Sequence, residues 1–112
     1  VEGLTMKSKK AGKAEILAIV NKYVKGNAQL VATNPSPQAF NFAAAQAREG
    51  KRKLKALNLS AEDSKHISLL YAAFTNLNLA LKAAARRDFA EHFKRMHKAV
   101  SLADDYERRG DS

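Results

Sequence analysis

From Ile67 to Leu81 the chain runs fifteen residues without a single charge. Here Ile67, Leu70, Phe74, Leu77, Leu81 and Ala84 recur at alternating spacings of three and four, the seam of an α-helix. The opposite side is no wetter, because Leu69, Ala72, Ala73, Leu79 and Ala80 occupy it. A helix apolar nearly all round needs cover on most of its circumference. It is either the central helix of a bundle or part of an interface with a second copy, and the fold must be built around it. Fifteen uncharged residues fall short of the roughly 20 needed to span a bilayer, so no membrane partner is expected.

Other segments supply the cover. Ile16, Leu17, Val20, Tyr23 and Val24 mark one buried face of a helix over about 11–25. Gly26 and Asn27 read as its C-terminal stop, with 28–33 an extra turn or a loop. Thr33-Asn34-Pro35-Ser36-Pro37 is the clearest break in the chain. Ser36 is the expected N-cap and Pro37 the first residue of a second helix reaching about Leu57. Its apolar side (Phe40, Ala43, Ala47, Leu54, Leu57) is mostly small, which lets a neighbour approach closely. Gly50 reads as an interior weak point costing about 1 kcal/mol relative to alanine. Ser60 and Asp63 resemble a capping box at the start of the third helix, which extends to about Ala85. Arg86-Arg87-Asp88 predicts a turn, with Asp88 and Glu91 capping a fourth helix that ends at Gly110. The alternative is one unbroken helix over 61–109, since no Gly or Pro interrupts it. The fourth helix is expected to bury Phe89, Phe93, Met96, Val100 and Ala103.

These segments predict an all-α fold, a compact bundle of about four helices in one domain over 11–110. A flexible basic tail over 1–10, with Lys7, Lys9 and Lys10, is expected to precede it. The predicted core is Ile16, Val20, Phe40, Leu54, Ile67, Leu70, Phe74, Leu77, Leu81, Phe89, Phe93 and Val100. The chain opens on Val1, which suggests a fragment or a processed product, with Met6 a candidate natural start. No apolar stretch of a secretory signal follows the N-terminal lysines, and an intracellular home, cytoplasmic or nucleoid-associated, is expected.

Charge carries the functional signal. The net charge is +9 on 112 residues. Arg48, Lys51, Arg52 and Lys55 form a stripe within roughly 100° of arc on the second helix. Like charges at these spacings weaken a helix by a few tenths of a kcal/mol per pair, so an anion lying across them is the natural relief. The fourth helix and the turn before it add Arg86, Arg87, Lys94, Arg95 and Lys98. If the second and fourth helices lie side by side, these nine cations form one surface for nucleic acid, DNA or RNA, gripped through backbone phosphates. The aromatics are not interleaved with the cations, Phe42 and Tyr106 being the only candidates, which argues against a base-stacking platform.

Other chemistry finds little footing. With no cysteine there is neither a disulfide nor a thiolate metal site. His92 and His97 diverge by about 140° on a helix. His66 beside Glu62 and Asp63 is an incomplete ligand set, so no metal or cofactor is expected. Glu62/Asp63 and Asp104/Asp105 are adjacent pairs that point apart rather than acid/base dyads.

Arg87-Asp88-Phe89-Ala90-Glu91-His92 has the form Arg, polar residue, three others, His. It resembles the motif of HEPN-type ribonucleases, small helical bundles in which two chains juxtapose their motifs and cut RNA without a metal. The resemblance implies Arg87 and His92 as a catalytic pair, with Asp88 the polar neighbour. Three functions therefore stand as expectations. The first is non-enzymatic nucleic-acid binding in an accessory, regulatory or packaging role. The second is a protein–protein interaction module, in which the uncharged face of 67–81 meets a second copy or the cations meet an acidic protein. The third is the metal-independent ribonuclease.

Overall fold

The computed structural model describes residues 12–110. The predicted basic tail over 1–10 lies outside them. Five helices make up the described residues. They are α1 (13–33), α2 (Pro37–Lys55), the single turn α3 (Ala61–Ser64), α4 (Ile67–Ala85) and α5 (Phe89–Gly110). The all-α bundle read from the sequence is the observed fold.

α1 is longer than expected. Gly26 sits at φ −62°, ψ −37°, ordinary helical values, so it does not stop the helix. The helix passes from Lys13–Val20 through a π-helical segment, Asn21–Lys25, into Gly26–Thr33. The widened turn holds Tyr23, the one buried residue of that segment.

α2 starts as expected: Ser36 Oγ accepts from the Ala39 N–H at 3.1 Å, with Pro37 at the first position. Ser60 caps α3 through the Asp63 N–H, also at 3.1 Å. The chain then breaks at Lys65–His66 before α4, so the third predicted helix is two. The turn at Arg86–Asp88 replaces the unbroken alternative. Arg87 adopts the left-handed conformation, φ 62°. Its N–H bonds the Ala84 carbonyl at 3.0 Å, and the Asp88 N–H bonds that of Ala83 at 2.8 Å. This pair of bonds is a Schellman motif with arginine where glycine is usual. Asp88 Oδ1 then accepts from the Glu91 N–H, opening α5.

α4 is the central helix. α2 packs along one flank and α5 along the other, while α1 lies mainly against α2. By length and mean hydropathy, 1.2, α4 would suffice to cross a membrane. In this fold 44% of that stretch is buried against its neighbours. Ala73 and Ala80, assigned by sequence to its wet side, are buried, whereas Leu79 stays exposed. Leu54, Phe74, Ile67 and Leu70 join Ile16 and Tyr23 in the main core, and Leu81 packs with Ala43 and Ala44.

Of the other six members of the predicted core, three line its edge and three are exposed. Val20, Phe40 and Leu77 are only partly buried. Phe89, Phe93 and Val100 are 51%, 67% and 53% exposed. α5 is rotated so that Ala99 faces the bundle. The cause is close packing: Ala73, Ala80, Ala83 and Ala84 on α4 present a nearly smooth surface that a small residue can approach.

Candidate nucleic-acid interface

The expected side-by-side contact of α2 and α5 is not what the fold provides. α4 separates them, and the Phe40 ring of α2 approaches His92 of α5 with centroids 6.5 Å apart. The cations nevertheless converge, through α4 itself. Lys51 Nζ donates to Thr75 Oγ1 at 2.6 Å from the α2 side. Arg95 Nη1 donates to Asn76 Oδ1 at 3.3 Å from the α5 side. Thr75 and Asn76 are consecutive, about 100° apart around α4. Leu79 and Ala72 fall inside that arc, and Leu79 and Thr75 are exposed, so the strip between the two cations is open to solvent.

α4 orients both partners. The Thr75 hydroxyl donates to the Tyr71 carbonyl at 3.1 Å, leaving its oxygen to accept from Lys51. The Asn76 amide nitrogen donates to the Ala72 carbonyl at 2.9 Å, turning Oδ1 toward Arg95. Both partners are neutral, so these bonds position the cations without cancelling charge.

The other predicted residues follow the helical repeat. Lys55 lies one turn beyond Lys51, its ammonium 5.3 Å from the Tyr71 ring centroid. That exposed cation–π contact is worth about 0.5–1 kcal/mol. Arg48 precedes Lys51 on the same flank, and Arg52 points outward, paired with Glu49. This hydrogen bond holds the Glu49 carboxyl below its ordinary range and raises the Arg52 guanidinium. On α5, Lys98 lies within about 60° of Arg95, and Lys94 faces outward. Arg95 is bonded to Glu91 at 2.7 Å. Arg86 and Arg87 occupy the end of the bundle, Arg86 3.7 Å from Asp88. Three of the nine predicted cations thus have a carboxylate partner. Among the described residues none pairs with Arg48, Lys51, Lys55, Arg87, Lys94 or Lys98.

Neither candidate stacking ring joins this face. Tyr106 lies three turns beyond Arg95 and is half-buried against the main core, where burial first and Asp63 second raise its hydroxyl pKa above the ordinary 10.0. Phe42 is exposed on α2 but turned about 120° away from Arg48. What sequence reasoning missed are Thr75 and Asn76, which read as ordinary polar positions in an apolar helix. The signal available was that they are the one adjacent pair of polar residues between Ile67 and Leu81; nearby Asn78 donates instead to the Ala44 carbonyl of α2 at 2.6 Å.

The HEPN-like residues are built into structural roles. His92 Nδ1 lies 2.8 Å from the Ala80 carbonyl and must donate to it, which fixes the tautomer. Its ring also packs edge-on against Phe93 at 5.2 Å. Asp88 is engaged as an N-cap and Arg87 shapes the turn. No group of three or more His, Asp or Glu residues able to hold a metal occurs among the described residues. Compared with protein families, curated proteins and solved structures, the chain matches none.

Proposed function

We propose that this protein binds nucleic acid through backbone phosphates, as a non-enzymatic accessory or packaging factor. The binding surface is the open face of the α2–α4–α5 layer. The observation that carries the reading is the seating of Lys51 and Arg95, from helices that do not pack together, on neighbouring residues of α4. Two rows of cations then flank a narrow uncharged strip, and a polyanion lying along it meets positive charge on both sides. Each phosphate neutralised releases counterions, so affinity falls steeply with salt. The ring beside the strip, Tyr71, is taken up by the Lys55 ammonium, so the contacts offered are to the backbone and sequence goes largely unread.

Fluorescence anisotropy with random-sequence DNA and RNA duplexes tests this. Reversing Lys51 and Lys55 to glutamate, or Arg95 alone, should weaken binding at least tenfold. Reversing Lys22 on α1 should change it far less. Equal losses from both sets would mean that net charge, not this face, drives association.

A further inference from the structure

The side of the bundle opposite the cations is built differently. On this side α5 packs along α4, α1 packs on α2 with its side chains reaching α4, and an apolar groove runs between α1 and α5. Val20 and Val24 form one wall, Met96 and Val100 the other, and Leu70 and Leu77 the floor. Every residue lining this groove is uncharged. Toward the start of α1 it continues past Leu17, which is 54% exposed, to a mouth that holds one charge of each sign, Lys13 and Glu107. Along its edge stands a ridge of large exposed apolar side chains of α5, Phe89 and Phe93 one turn apart and Val100 two turns further on.

We infer that this groove is the contact surface between two copies of the chain, the ridge of each α5 entering the groove of the other. Two features select a second copy as the occupant. First, a two-fold contact needs a surface complementary to itself. Here a protruding apolar ridge and an apolar groove of similar direction lie side by side on one molecule. Second, charge is partitioned around α5. Lys94, Arg95 and Lys98 lie on the side of the cationic face, whereas Phe89, Phe93, Met96, Val100, Ala103 and Glu107 on the groove side include no cation. For a chain of net charge +9 this is the side on which two copies meet without opposing their cation rows. Exposed apolar patches of this kind on small proteins mark association surfaces. The pair would keep both cationic faces turned outward.

The full chain should sediment at twice its 12.3 kDa mass at submillimolar concentration. Phe93→Glu and Val100→Glu, each at an exposed position, should give monomers with unchanged helical circular dichroism. Because the chain has no cysteine, V100C should form an intermolecular disulfide on mild oxidation, and R48C on the cationic face should not. A monomeric wild type would overturn the inference. So would a dimer that survives both glutamate substitutions, or equal cross-linking through either cysteine. None of these variants except R48C removes a cation, so nucleic-acid binding remains a separate measurement.

Discussion

Gly50→Ala is the substitution on which helix propensity and packing disagree most sharply. Propensity alone favours alanine by about 1 kcal/mol in a helix interior. Backbone conformation offers no objection, since Gly50 has no positive φ. Packing does. Gly50 is buried where α1 and α4 both press on α2. A β-carbon there would lie 2.7 Å from Tyr23 Cβ and 2.9 Å from Phe74 Cε1. Neither neighbour is the free end of a flexible chain. Tyr23 Cβ is tied to the π-helical turn of α1, and the Phe74 ring is wedged in the core. Overpacking of this kind costs roughly 1–3 kcal/mol, occasionally more. At two such contacts the upper part of that range applies, and after the propensity gain a net loss of about 1–2 kcal/mol remains. With a urea m-value of about 2 kcal/mol/M, the middle of the usual range, the unfolding midpoint should fall by roughly 0.5–1 M. Urea titration followed at 222 nm reads this directly. A midpoint that rises would show that α1 does not approach α2 as closely as described, and the placement of Tyr23 would be wrong.

Three further outcomes are expected. Arg87→Gly relieves a left-handed arginine in the Schellman turn and should raise stability by about 0.5–1 kcal/mol in the same titration, partly offset by the extra freedom of glycine in the unfolded chain. An unchanged or lower midpoint would argue against that backbone geometry. Glu49→Gln removes the carboxylate paired with Arg52 and should tighten polyanion binding in anisotropy titrations at low salt; weakened binding would mean the pair orients Arg52 productively. Tyr106 has a folded pKa above its ordinary 10.0, so the unfolded chain ionises first as pH rises. Its contribution to stability is therefore full below pH 10.0 and is lost as pH climbs from there through the folded value. Tyr106→Phe should flatten the alkaline fall in stability, and a fall that persists undiminished would place its cause elsewhere.

Much of this architecture is legible in the sequence because the strongest patterns are also the most local ones. The missing charges over Ile67–Leu81 require a covered helix, and α4 is covered on both flanks. Ser36-Pro37 and Arg86-Arg87-Asp88 are short-range signals, and both act where they stand. What escaped depends on contacts between distant segments. Gly26 and Asn27 look like a stop, yet nothing about glycine prevents helical φ and ψ when the flanking turns continue. The apolar residues of α5 point to a face containing Phe93 and Val100, but its rotation is set by Ala99 settling onto the small side chains of α4. The large residues are left on the groove side. The cationic surface was legible as two stripes but not as an arrangement. Spacing within α2 and α5 says nothing about the helix between them, and only the packed structure brings Lys51 to Thr75 and Arg95 to Asn76.

The dependence of duplex affinity on salt tests the two-row surface most directly. For the wild type, log K against log salt should be linear with a slope near −0.9 for each phosphate engaged. Lys51→Gln and Arg95→Gln should each reduce the magnitude of that slope by about one contact, roughly 0.9, and the double variant by about twice as much. A slope that stays at the wild-type value in all three would mean these side chains do not touch the polyanion, and the proposed face would have to be abandoned.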